Sequence, residues 1–213
     1  MQRAMPFIFT FTLLLSACTS LPPFFVGLFY LYAAQGNNVD ISVDISGSPT
    51  SVGCSVSSTA ITMSSTDNYT YTGTVDQSLL SLGENPVSCS ATNDNGTTTQ
   101  TAGVIKVIEN TPPTLVTLTP VSVYDNDGSV ALDEPLVDTG NSSNLDGAEF
   151  TLDASSDALP AGLSIDSANG NLVGSTDVAS TQVLSIILKA TSAAGSDIND
   201  TPTDLTINDG ANP

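Results

Sequence analysis

Val39-Asp40-Ile41-Ser42-Val43-Asp44-Ile45 alternates apolar and polar residues without a break. Successive side chains on a strand point to opposite faces, so this period of two predicts a half-buried β-strand with its four aliphatic residues inward. The same character continues downstream. Residues 52–58, 60–64, 69–75, 87–93 and 104–108 read as further strands. Turn signals separate them: Gly47-Ser48-Pro49, Asp67-Asn68, Gly83-Glu84-Asn85-Pro86 and Asp94-Asn95-Gly96. No stretch beyond Gly36 carries helical periodicity. Short strands at this spacing predict an all-β sandwich over residues 39–110.

Asn110-Thr111-Pro112-Pro113 then interrupts the pattern. Two consecutive prolines lack amide donors and favour a stiff, extended link, which places a boundary there. A second all-β unit follows over residues 114–207, with strands expected at 115–119, 129–132, 148–152, 163–166, 171–173, 183–191 and 204–207. It has no cysteine, so packing alone must hold it. Residues 208–213 read as a linker-like tail.

Composition excludes several functions. Among 213 residues, 22 are acidic and 3 are basic, giving a formal charge of −19. Such a surface repels phosphate backbones, so nucleic acid is excluded as a partner. Histidine and tryptophan are absent. Without histidine there is no ordinary Ser-His or Cys-His nucleophile, and Lys106 and Lys189 do not fall in a Ser-x-x-Lys spacing. Paired carboxylates could serve glycoside chemistry, a weaker rival reading. Beyond Tyr32, however, the aromatic residues are Tyr69, Tyr71, Tyr124 and Phe150, too few for a sugar platform. The expectation is a protein without catalytic residues.

At the start of the chain Arg3 precedes the apolar run Phe7-Ile8-Phe9-Thr10-Phe11-Thr12-Leu13-Leu14, which ends in Leu15-Ser16-Ala17-Cys18. This resembles the lipobox of bacterial lipoproteins. The resemblance implies that residues 1–17 are a signal peptide and that Cys18 is acylated, as by palmitate, and becomes the mature N-terminus. The protein would then be exported and lipid-anchored in the bacterial cell envelope, at the outer membrane or cell surface. Residues 18–38 become the lipidated cysteine and an apolar tether. Two other readings stay open: one transmembrane anchor over residues 7–34, which Pro22 and Pro23 would kink, or a signal-peptidase cut near Ala33-Ala34. With Cys18 assigned to lipid, Cys54 and Cys89 remain as a pair, and an oxidising compartment reads them as one disulfide.

Cys54 and Cys89 are spaced like the inter-sheet disulfide of immunoglobulin domains, and Val87 to Gly96 resembles the strand and hairpin turn that end such a domain. The antibody pattern is incomplete, since there is no core Trp and Val87 stands where the corner Tyr would be. In the second unit, Leu159-Pro160-Ala161-Gly162-Leu163-Ser164-Ile165-Asp166 leads to Ala168-Asn169-Gly170-Asn171-Leu172-Val173-Gly174. This resembles the LPxGLxxD…xGxLxG core of the Putative-Ig and dystroglycan-type cadherin-like domains of bacteria. Together the resemblances imply two tandem Ig-like β-sandwiches after an N-terminal lipoprotein signal segment.

Three acidic clusters raise the question of calcium. Asp125-Asn126-Asp127-Gly128 with Asp133 and Glu134 is the densest, and Asp125, Asp127 and Asp133 are its candidate ligands. Asp197-Ile198-Asn199-Asp200 resembles the cadherin linker DxND, and Asn208-Asp209 is the third cluster. Asp125 to Gly128 equally suits a β-turn. The expected role is a non-catalytic surface display, spacer or adhesion module, held to the membrane by its lipid and meeting a surface protein or glycan. The alternative is a calcium-dependent carbohydrate- or protein-binding module.

Overall fold

A computed structural model describes residues 21–118, 120–128, 130–199 and 201–210, without the side chain of Asp127. The expected signal peptide and Cys18 lie outside these residues. The described residues divide into two compact units, one within 1–31 and 37–106 and the other within 32–36 and 107–213, so that the last residues of β2 and β9, strands described with the first unit, are counted in the second. The division falls a few residues ahead of the proline pair.

The first unit is built from β1 (Phe24–Val26), β2 (Phe29–Ala34), β3 (Val39–Ser46), β4 (Ser51–Val56), β5 (Thr59–Ile61), β6 (Ser64–Ser65), β7 (Thr70–Val75), β8 (Gly83–Asn93) and β9 (Gly96–Ile108). They form a four-stranded sheet in the order β1-β3-β7-β6 and a five-stranded sheet in the order β2-β9-β8-β4-β5. In immunoglobulin lettering the two orders are A-B-E-D and A′-G-F-C-C′, an Ig-like sandwich. The alternation in β3 has its predicted effect: Val39, Ile41, Val43 and Ile45 are buried, while Asp40 and Ser42 face water.

Two expectations for this unit need correction. Residues 24–34 are no tether and no membrane helix, because β1 pairs with β3 in the register Phe25↔Ile45 and β2 lies beside β9. The apolar residues alternate, with Phe25, Phe29 and Leu31 turned toward the interior, so the run is apolar because it supplies two edge strands. Among the described residues no helix is long and apolar enough to cross a membrane. The disulfide does form, but within one sheet. Cys54 on β4 and Cys89 on β8 are direct cross-strand partners with Cα atoms 4.0 Å apart. The reason is placement: β3, which would carry the first cysteine of an inter-sheet bridge, has none, and Cys54 falls on the strand where antibody domains place their core Trp. Opposed residues share a face, so both sulfurs still point into the core.

The second unit contains β10 (Val121–Tyr124), β11 (Leu132–Glu134), β12 (Glu149–Leu152), β13 (Leu163–Ile165), β14 (Leu172–Gly174), β15 (Gln182–Ile186), β16 (Leu188–Ser192), β17 (Gly195–Ile198) and β18 (Thr203–Asn208). They form three small sheets, β10-β18-β15, β11-β14-β13 and β12-β16-β17. β10 runs parallel to β18, and the other pairs are antiparallel. Leu136, Leu172, Ile186, Leu188, Leu205 and Ile207 are fully buried in one shared core. The single strand expected over 183–191 breaks at Ile187, whose N–H donates to Ser156 Oγ at 2.8 Å and whose carbonyl accepts from Asp153 N. Those bonds leave the ladder, and the chain passes from one sheet to another. The strand expected at 115–119 is replaced by isolated bridges from Thr114 and Thr117, and the first strand comes later, at β10.

The glycines of the Leu159–Gly174 motif have a steric cause. Gly174 has a φ of +110°, and a Cβ there would lie 2.0 Å from the carbonyl oxygen of Gly162. Gly162, at φ +93°, would bring its own Cβ to 2.1 Å from the Ser175 carbonyl oxygen. The two backbones meet where Leu163 pairs with Gly174, and only hydrogen fits between them.

Candidate binding surfaces

One end of the first unit is assembled from three segments. The loop between β3 and β4 turns at Gly47 and Ser48, both at positive φ. The β8–β9 connection is Asp94-Asn95, where Asn93 Oδ1 accepts from Asn95 N at 2.8 Å, an Asx turn that fixes the hairpin tip. Leu21-Pro22-Pro23 docks against both. Asn93 Nδ2 donates to the Leu21 carbonyl at 3.1 Å and to the Gly47 carbonyl at 2.8 Å. Pro23 is buried over Gly47, where a Cβ would lie 3.0 Å from Pro23 Cα, and Pro22 rests on Gly96. A concavity of about 460 Å³ opens there, lined by Leu21, Phe24, Ser48, Thr50, Asn93 and Asp94. Leu21 is 61% exposed and Phe24 54%.

A larger groove of about 780 Å³ lies along the outward residues of β3 and β7, lined by Asp40, Ser42, Thr72, Thr74 and Asp76. It exists because β6 pairs with β7 only at Thr72 and Tyr71, while β7 continues to Val75. Thr74 Oγ1 donates to Asp40 Oδ1 at 2.6 Å. Asp76 accepts from the Ser78 hydroxyl and N–H, which holds its carboxyl below the usual range. These acids and hydroxyls share the lining with Ile41, Ala60, Ile61 and Leu79, so it is polar and apolar in equal part. It offers hydrogen bonds but no paired nucleophile and base.

The candidate ligands of the second unit are held in separate places. Asp125 is buried just past β10; its Oδ2 accepts from Val178 N at 2.7 Å and its Oδ1 from Gly210 N at 2.9 Å. Asp133 lies on β11, in a different sheet, and accepts from Asn171 Nδ2 at 2.7 Å. Asp127 falls in a 3₁₀ turn, Asn126–Gly128. Among the described residues no three or more His, Cys, Asp or Glu side chains group as metal ligands would. The DxND cluster is likewise engaged: Asp197 Oδ2 accepts from Leu115 N, and Asn199 bridges Leu188 N and the Thr201 carbonyl. Sequence reasoning did not identify Asn93 as the residue that docks the N-terminal segment. Its place two residues before Asn95 and three before Gly96, at the end of a strand, is the available signal.

Residues 107–208 match the model of the family described as Putative Ig domain. No curated protein sequence matches the chain. Among solved structures, a titin tandem, A168-A169, is 12% identical over 89% of this chain and all of that one, with a TM-score of 0.35. The N-terminal Ig1-2 module of the Drosophila receptor protein tyrosine phosphatase DLAR is 12% identical over 88% of this chain and 99% of that one, with a TM-score of 0.36. An endo-fucoidan hydrolase of glycoside hydrolase family 107 is 15% identical over 91% of this chain but 36% of that enzyme, with a TM-score of 0.46. At these scores the likenesses are loose, and nothing about the activity of this chain follows from them.

Proposed function

We propose that this protein is a non-catalytic cell-envelope lipoprotein whose two Ig-like units serve as a surface spacer and adhesion module. The observation that carries the reading is that residues 21–34 belong to the sandwich. Leu21-Pro22-Pro23 is docked, and β1 and β2 close the edges of the two sheets, so the fold is under way within three residues of Cys18. A cut near Ala33-Ala34 would strip both strands from their sheets. A cut before Cys18 leaves every described strand in place.

Other features support export. The Cys54–Cys89 bond suits an oxidising compartment, and 22 acids against 3 basic residues keep an exposed surface solvated and self-repelling. The groove beside β7, where Asp40, Ser42, Thr72 and Thr74 meet Ile61 and Leu79, is the surface we assign to a glycan or a surface protein, met through hydrogen bonds and apolar contact. Mass spectrometry of the membrane fraction tests the core of the reading. The expected N-terminal peptide begins at Cys18 and carries acyl mass. A free terminus near Ala34, or an unmodified Cys18, would overturn it.

A further inference from the structure

We infer that the end of the first unit carrying Leu21, Phe24, the Gly47–Thr50 loop and the Asp94-Asn95 hairpin tip rests on the lipid bilayer. This inference rests on acylation of Cys18. Three residue steps separate Cys18 from Leu21, a reach of at most about 11 Å. Leu21 is not free to drift from the sandwich, because Asn93 holds its carbonyl and Pro22 and Pro23 pack on Gly96 and Gly47. A lipid on Cys18 therefore brings this end, and no other part of the unit, to the membrane surface.

The surface there suits that position. Leu21 and Phe24 expose more than half their area beside the concavity. Aromatic and aliphatic side chains of this kind favour the headgroup boundary. The occupant is a neutral lipid face: Asp94 at the hairpin tip and a charge of −19 oppose anionic headgroups. The opposite end lies far off, since β8 runs eleven residues from Gly83 to Asn93, about 33 Å. The loops through which many Ig-like sandwiches bind would face lipid here, leaving the sheet faces for partners.

The absence of tryptophan makes the test direct. The full protein, expressed with its own leader, is reconstituted in phosphatidylcholine vesicles with and without brominated acyl chains. Phe24→Trp and Leu21→Trp report the proposed contact, and Leu82→Trp, at a 51% exposed site beside the start of β8, reports the far end. The Cys18 peptide of each sample is weighed separately. With Cys18 acylated, bromine should lower emission at positions 21 and 24 at least twofold and leave position 82 unchanged. Acylated protein with no quenching at 21 and 24, or with equal quenching at 82, overturns the inference alone. Unacylated Cys18 overturns the parent reading and the inference with it.

Discussion

In the first unit a covalent bond joins Cys54 and Cys89 on neighbouring strands, and the chain between them crosses to the other sheet through β6 and β7 before returning. The second unit has no cysteine. Its closure depends on backbone contacts and side-chain clamps: Gly162 against Gly174, Asp125 holding Val178 and Gly210, Asn199 holding Leu188 and Thr201. One unit restricts its unfolded chain with a crosslink; the other refines its folded state with close approach. The first unit uses such clamps as well, buried Asn85 holding the Ser81, Gly83 and Ile105 carbonyls and Gly103 leaving room for the Phe29 ring, so what separates the two is the crosslink added to one of them.

The sharpest test falls on the unstapled unit. Gly174→Ala imposes a positive φ on a side chain and overlaps the Gly162 carbonyl, and should cost on the order of 4 kcal/mol or more. Calorimetry should then show the second unit melting far earlier while the first is unmoved. An unshifted transition would mean that the glycine contact does not set the register.

Reduction probes the other side. Cys54 and Cys89 are 35 residues apart, and opening that loop should destabilise the first unit by at most about 4 kcal/mol. Only the transition of that unit should move on adding reductant, which also identifies the two transitions. If both move, the units melt together and the contrast between them fails.

Acid is expected to treat the two alike, with the smallest effect. Asp67 is held below the usual carboxylate range mainly by the Tyr69 N–H and Asp76 by the Ser78 hydroxyl, both in the first unit. Asp138 is lowered mainly by Asn141 and Asp153 by the Ser155 hydroxyl, both in the second. A lowered folded pKa means that the unfolded chain takes up protons first as pH falls. The stabilisation is complete above the unfolded pKa of 3.8 and is lost as pH drops through the folded values. In 1 M salt, where charge repulsion is screened within about 3 Å, both melting temperatures should fall together below about pH 4. A fall confined to one unit would place the acid sensitivity elsewhere.

The sequence made some elements readable and hid others. β3 and β8 announced themselves because each buries one face, and period-two alternation records that asymmetry directly. The Asn169-Gly170-Asn171 hairpin and its flanking strands were equally plain, since turn chemistry is local. β1 and β2 were hidden because an apolar run behind a leader looks the same whether it meets lipid or the edge of a sheet. The spacing of Cys54 and Cys89 could not separate a bridge between sheets from one between adjacent strands; that depends on which strand each cysteine occupies. Asp125 drew attention as a metal ligand, yet what sets its role is tertiary: Val178 and Gly210 arrive from 53 and 85 residues downstream. The groove beside β7 had no sequence signature, because it arises from β6 being short.

β18 sits between β10 and β15, pairing with β15 over Thr203–Ile207 and with β10 over Leu205–Asn208. Among the described residues it is also the last strand of its unit in chain order. Under the proposed export, in N-to-C direction, this half stays in loose, transportable form until residue 208 has crossed. On that proposal the second unit closes on the far side, once its middle strand has arrived.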